Sequence, residues 1–170
     1  MSLAYKIQSF LKQKLKEYNF TRREFATNSG INYFNACDLI NGDISSPELK
    51  TILKIAKCFN CTIDEVVGRG ESSTTSEKYN FNNISSEEMY INLKNSINER
   101  LEQNSLNYYK LSKLQGFSKN SIRHFIGENA SQKTLGTAIV IALADYFNVS
   151  IDEMIGRVSS SNQESQTIKK

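Results

Sequence analysis

The sequence predicts an all-α chain made of two tandem copies of one unit of about five helices. Three observations carry this. The stretch TRREFATNSGINYFNACDLI, from Thr21 to Ile40, returns as NYYKLSKLQGFSKNSIRHFI from Asn107 to Ile126, with its apolar, small and glycine positions in register. A closing phrase returns as well, FNCTIDEVVGR from Phe59 to Arg69 and FNVSIDEMIGR from Phe147 to Arg157. Apolar residues otherwise recur at helical intervals, and capping boxes at Thr21/Glu24, Thr62/Glu65, Ser85/Glu88 and Ser150/Glu153 mark helix starts.

Within the first unit, Ile7, Leu11 and Leu15 form one stripe of an amphipathic helix from Ala4 to Tyr18, with Lys12, Lys14 and Lys16 on its other sides. Thr21 opens the next helix at Arg22, and Gly30 supplies the turn that follows it. Asn32 caps a third helix. Ser46 as cap and Pro47 at the first helical position are expected to open a fourth, whose buried side is Leu49, Ile52, Leu53 and Ala56. The second unit repeats this plan. Its first helix starts after Ser85 with the stripe Met89, Leu93, Ile97 and Leu101; Leu111, Leu114, Phe117, Ile122 and Phe125 are the apolar positions of the paired helices, and Gly116 marks their turn. The loop Gly127 to Lys133 is two residues longer than its counterpart. The run Ile139, Val140, Ile141 is too continuous for one buried face, so a dimer partner or the first unit is expected to cover it.

A chain of 170 residues fits one domain or two small ones, and the repeat decides for two. The expected boundaries are 1–70 for the first domain, 71–84 for a flexible linker, 85–157 for the second domain and 158–170 for a disordered tail. The linker is Ser-, Thr- and Asn-rich, with Tyr79 and Phe81 as exceptions able to dock on a domain. Its r.m.s. span of roughly 20–25 Å and stretched reach of about 50 Å would let two domains meet successive major grooves about 34 Å apart.

The net charge is +3, with 10 basic against 7 acidic residues in 1–70 and 8 against 6 in 91–157. So mild an excess permits DNA binding without demanding it. No apolar run approaches the length of a membrane span and no hydrophobic signal core opens the chain, so a cytoplasmic protein is expected. Cys58 and Cys61 have CxxC spacing, but no second pair or histidine cluster accompanies them. Cys61 corresponds to Val149 in the other copy, so it reads as an apolar packing residue, with no metal, cofactor or disulfide assigned. No nucleophile with a base and no phosphate loop points to an enzyme.

The outer face of each copy's second short helix is where chemistry is expected. In the second copy, Ser118 stands as cap, Ile122 and Phe125 face inward, and Lys119, Asn120, Arg123 and His124 face outward, a surface suited to a DNA major groove. In the first copy the outward residues are Tyr33, Phe34, Cys37 and Asp38, without a Lys or Arg. Tyr33 and Asn35 could hydrogen bond and Phe34 could meet a thymine methyl, yet an exposed aromatic face equally suits a protein contact. Arg22 and Arg23 oppose the dipole of their helix, a small cost that a nearby phosphate could offset.

The order of capped helix, small residue (Ala26 or Ser112), glycine turn, second helix, apolar fourth helix and IDE-type final helix resembles the Cro and lambda-repressor-like helix-turn-helix family. The resemblance covers most of residues 5–70 and 88–157. It implies a tandem pair of such domains in a sequence-specific regulator of bacterial or phage type, binding double-stranded DNA and able to form a homodimer. Under it, Lys119, Asn120 and Arg123 would meet base edges, with His124 at the rim, while Tyr108, Lys110, Ser118 and Asn129 would position phosphates; Arg22 sits where members commonly touch the DNA backbone, beside Arg23, Asn32 and Tyr33. A second reading keeps the fold as an interaction module, with Tyr33, Phe34 and Cys37 in the first unit and Ile139, Val140 and Ile141 in the second as contact surfaces.

Overall fold

The computed structural model of the chain describes residues 1–70, 80–127 and 130–158. Ten α-helices, and no strand, occur among them. The first five are α1 (Leu3–Tyr18), α2 (Arg22–Ser29), α3 (Tyr33–Asn41), α4 (Leu49–Cys58) and α5 (Ile63–Val66). The order repeats in α6 (Ser86–Gln103), α7 (Tyr108–Leu114), α8 (Lys119–Ile126), α9 (Thr137–Phe147) and α10 (Ile151–Met154). Each group of five is called a unit below.

Capping explains most of the boundaries. Reciprocal boxes close on Thr21/Glu24, Thr62/Glu65 and Ser85/Glu88, so the cap hydroxyl and the third-position carboxylate each satisfy an end amide. At Ser150 only half the box forms. Its hydroxyl accepts the Glu153 amide, but the Glu153 carboxylate instead pairs with Arg100 at 3.0 Å. The turns between paired helices are left-handed at Gly30 (φ 64°) and Gly116 (φ 71°), where a side chain would strain the backbone.

Several expectations are corrected. Helix α4 opens at Leu49, not at Pro47, and Glu48 precedes it without a side-chain cap bond; Pro47 is buried and its carbonyl is taken by the Thr137 hydroxyl at 2.6 Å, outside any helical ladder. Ser118 makes no cap bond. Leu114, the last residue of α7, is exposed. Val140 is fully buried in the core while Ile139 and Ile141 are half-buried against it, so Val140 offers no surface to a partner. Phe81, which the sequence allows to dock from the linker, does so together with residues 82–84. The Asn82 amide N–H donates to the Arg157 carbonyl at 2.8 Å, its side chain donates to Gly156, Phe81 lies under the Arg157 guanidinium with 3.8 Å to the ring centroid, and Ile84 is buried. Tyr79 with the rest of 71–79, Asn129, and the tail from 159 onward lie outside the described residues.

The core of the first unit is aromatic as well as aliphatic. Phe59 stacks on Phe25 with centroids 5.8 Å apart and meets Phe10, Tyr18 and Phe20 at 5.3–6.2 Å. Ile7, Leu11, Ala36, Leu39 and Ile52 close around this cluster. The second unit builds the equivalent space from aliphatic residues, Met89, Leu93, Ile97, Leu111, Ile122 and Leu143, with Tyr90 edge-on to Phe125.

The units are joined face to face through α5 and α10, and the contact is reciprocal. The Asp152 carboxylate accepts the Ile63 amide at 2.7 Å, and the Asp64 carboxylate accepts the Ile151 amide at 2.9 Å. Each aspartate therefore satisfies the first orphan amide of the other unit's short helix. Arg69 pairs with Asp64 and reaches the Val149 carbonyl at 2.9 Å; Arg157 pairs with Asp152 at 2.7 Å and reaches the Cys61 carbonyl at 2.6 Å. Every bond has its mirror 88 positions along the repeat, the signature of a two-fold relation. The symmetry breaks at the margin. Arg69 adds Asp145, whereas Arg157 takes Phe81 and Lys57 takes Asn83 and the Ile84 carbonyl.

Candidate nucleic-acid interface

Two pairs of short helices, α2–α3 and α7–α8, carry the residues singled out for contact with DNA, and their surfaces differ. On α2, Arg22 is exposed and donates to the Asn41 side chain at 3.1 Å, while the Arg23 guanidinium lies over the Tyr33 ring at 5.7 Å. Tyr33 in turn meets Phe34 edge-on at 6.0 Å, and Phe34 is 75% exposed. The Asn32 side-chain oxygen caps α3 by accepting the Phe34 amide at 3.0 Å, which leaves its amide nitrogen and the second lone pair of that oxygen for further contacts. Cys37 and Asp38 are half-buried. Lys54, from α4, donates to the Gly30 carbonyl at 2.9 Å and holds a cation beside the turn. A concavity of about 340 Å³ lies between Arg23, Thr27, Ile31 and Tyr33.

On the second pair, α8 divides cleanly into two faces. Ile122, Phe125 and Ile126 are buried, Lys119 and Arg123 are exposed, and Asn120 and His124 are half-buried at the border. The His124 carbonyl accepts the Gln132 amide at 3.0 Å, which ties the following loop to the end of this helix. On α7, Tyr108, Tyr109 and Lys110 are exposed, and the Lys110 amide is occupied by the Asn107 cap at 2.8 Å. Beneath them the buried Ser112 hydroxyl makes no hydrogen bond, where the first unit has Ala26.

Electrostatics separate these surfaces from the joint between the units. Burial pushes the Asp64 and Asp152 carboxyls above the usual carboxylate value, against the pull of the Ile151 and Ile63 amides and of Arg69 and Arg157. Burial likewise pushes the Cys61 thiol up to about 12, so it stays protonated and inert, in keeping with a packing role. The three cysteines are free, and no metal-binding cluster occurs among the described residues. No described helix is long and apolar enough to cross a membrane.

Reading for capping boxes alone passes over Asp64, Arg69, Asp152 and Arg157, the residues that join the units. A signal was available. The Asp and the Arg recur at the same places in both closing phrases, although neither belongs to the cap or to the apolar stripe.

Residues 11–69 match the Cro/C1-type HTH DNA-binding domain. The chain is 42% identical over 72 residues to an uncharacterized HTH-type transcriptional regulator of Rickettsia prowazekii (strain Madrid E), covering 41% of this chain and 78% of that protein. It is also 42% identical over 72 residues to a second such regulator, from Rickettsia conorii (strain ATCC VR-613 / Malish 7), covering 41% of this chain and 66% of that one. No solved structure matches the chain. With the glycine turn of α2–α3, the capped helices and a relative matched over more than two thirds of its length, the chain belongs to the Cro/C1-type helix-turn-helix transcriptional regulators.

Proposed function

We propose that the chain is a sequence-specific transcriptional regulator whose two units, 1–70 and 85–157, are both helix-turn-helix domains, and that α8 enters the major groove. The observation that carries the reading is the face of α8, where Lys119 and Arg123 stand exposed over a fully apolar inner side. Arg123 suits guanine O6 and N7, and Asn120 suits adenine N6 and N7. Lys119 completes the base-facing row and His124 sits at its rim. Tyr108, Lys110 and Ser118 flank that row and suit phosphate oxygens, as Arg22 and Arg23 do beside α3. The site of action is the cytoplasm or nucleoid, where duplex DNA is met.

A second reading is favoured by one observation, the 75% exposure of Phe34 on a helix face without Lys or Arg. In it the first unit makes a protein contact through Phe34 and Cys37, and Ile139 and Ile141 support a homodimer. Fluorescence anisotropy with duplex DNA across salt separates the two. Wild type, Lys119→Ala/Arg123→Ala and Tyr33→Ala/Phe34→Ala are compared. Loss of one phosphate contact lowers the salt slope by about one. Weakening by the α8 change supports the proposal, whereas an absence of binding by the folded protein at low salt sinks it and turns the search to protein partners.

A further inference from the structure

The joint between the units has a consequence for how a duplex is held. In an isologous contact the same patch serves both sides, residue i meeting j and j meeting i. The α5–α10 joint has that form within one polypeptide: Asp152 caps Ile63 while Asp64 caps Ile151, and Arg157 meets the Cys61 carbonyl while Arg69 meets that of Val149. A two-fold operation leaves displacement along its axis unchanged, so the operation that relates α5 to α10 also carries α3 and α8 to the same height along that axis. Three of these four bonds are buried, with Asp152 and Arg157 each 1% exposed. Phe81 and Asn82 also dock on this joint, through the Arg157 guanidinium and the Gly156 carbonyl. A palindromic operator mirrors a symmetric dimer. Here the two outer faces differ, basic and polar on α8, aromatic on α3.

We propose that one copy of this chain is a built-in pseudo-dimer that grips a bipartite, non-palindromic duplex site, with α3 and α8 held as a fixed pair on two unlike half-sites. This rests on the DNA-binding reading above. The α8 half-site is read by Arg123 and Asn120 through guanine and adenine edges. The α3 half-site is thymine-rich, because Phe34 and Tyr33 offer apolar surface for C5-methyl groups, with Arg23 beside them over the Tyr33 ring and Arg22 at the far end of α3 by Asn41 for the backbone. The reciprocal aspartate caps fix the spacing, so no second chain is needed to complete the site.

The test uses the full chain. A site is selected from a random duplex pool, the mass of the free protein and of its complex is measured by sedimentation velocity, and affinity is compared for the selected site and for one with five base pairs inserted between its halves. Five base pairs are about half a helical turn and move one half-site to the opposite face. The expected results are a free species of one 19.3 kDa chain, one chain per duplex, two unlike half-sites and a loss of about 100-fold or more on insertion, since simultaneous engagement becomes impossible. A palindromic site holding two chains, a single half-site, or an insertion tolerated within about threefold would each overturn the pseudo-dimer while leaving DNA binding intact. Failure to bind any duplex at low salt brings down the DNA reading and the pseudo-dimer together, an outcome distinct from the other three.

Discussion

Replacing Asp152 by alanine tests the joint where it is most buried. The carboxylate is 1% exposed, accepts the Ile63 amide at 2.7 Å and pairs with Arg157 at 2.7 Å. Its removal strips the first amide of α5 of its partner and leaves the Arg157 charge buried with only the Cys61 carbonyl and the Phe81 ring for company. Breaking a buried ion pair from one side costs about 3–5 kcal/mol. For a chain of this length each kcal/mol shifts the Tm by roughly 2–4 °C, so the melting point should fall by about 6–20 °C. Urea unfolding followed by circular dichroism and by tyrosine fluorescence measures the change.

A companion variant isolates the cause. In Asp152→Leu/Arg157→Met both charges go together, and replacing a buried pair by apolar residues is often neutral. The double variant should therefore recover at least half of the loss, although the Ile63 amide remains without its acceptor. The reasoning is refuted if Asp152→Ala costs under about 1 kcal/mol, or if the double variant is as damaged as the single one. Two well-separated transitions in the wild type would show that the units unfold independently and that the joint contributes little.

Other outcomes follow from single sites. Ser112→Ala should stabilise the chain by about 1 kcal/mol, because it removes a buried hydroxyl without a partner, and a Tm no higher than wild type would count against that account. Phe25→Ala should cost about 3–5 kcal/mol through loss of the Phe59 stack, whereas Phe34→Ala on the exposed face should stay within about 0.5 kcal/mol of wild type, both read from urea midpoints. The cap interactions from Thr21 and Ser85 hold Glu24 and Glu88 below the usual glutamate value of 4.5, so their contribution is present above that pH and is lost as pH falls through their lowered values. Asp64 and Asp152 act in the opposite sense: with folded values raised above 3.8, their protonation favours the folded chain as pH falls through those values. Thermal melts should accordingly hold steady from pH 7 to about 5 and drop in stronger acid, with Glu24→Gln/Glu88→Gln flattening the drop; a steep fall between pH 7 and 5 would contradict this balance.

The helices were legible because their signals are local. A cap hydroxyl three residues before a glutamate, a glycine between two apolar runs and a stripe at intervals of three or four each act within one turn of backbone. Pro47 misled for the same reason. As a local signal it reads as the first residue of α4, yet its carbonyl is spent on Thr137, 90 positions away, and the helix waits until Leu49. Ser150 shows the complementary case, where a distant cation, Arg100, takes the carboxylate that the local box would have used. On the candidate site, exposure agreed with helical phase for Lys119, Arg123 and Phe34. What phase could not supply was the half-burial of Asn120 and His124 or the laying of Arg23 on Tyr33, since both depend on side chains from neighbouring helices.

The joint between the units escaped for a deeper reason. An aspartate at the second position of a short helix is already explained by the helix dipole, so Asp64 and Asp152 carry no surplus that a single copy can reveal. Only the two copies together do so. A residue kept for its own helix and a residue kept to cap its twin look alike in isolation, but the second kind must recur with its arginine in both copies, because each half of an isologous contact needs the other. Asp64 with Arg69 and Asp152 with Arg157 meet that condition, whereas the outer faces of α3 and α8 share no side chain at the matched positions 33, 34, 37 and 38 against 119, 120, 123 and 124. A joint alike in both units beside outer faces that differ is what the proposed pair, reading two different half-sites, would require.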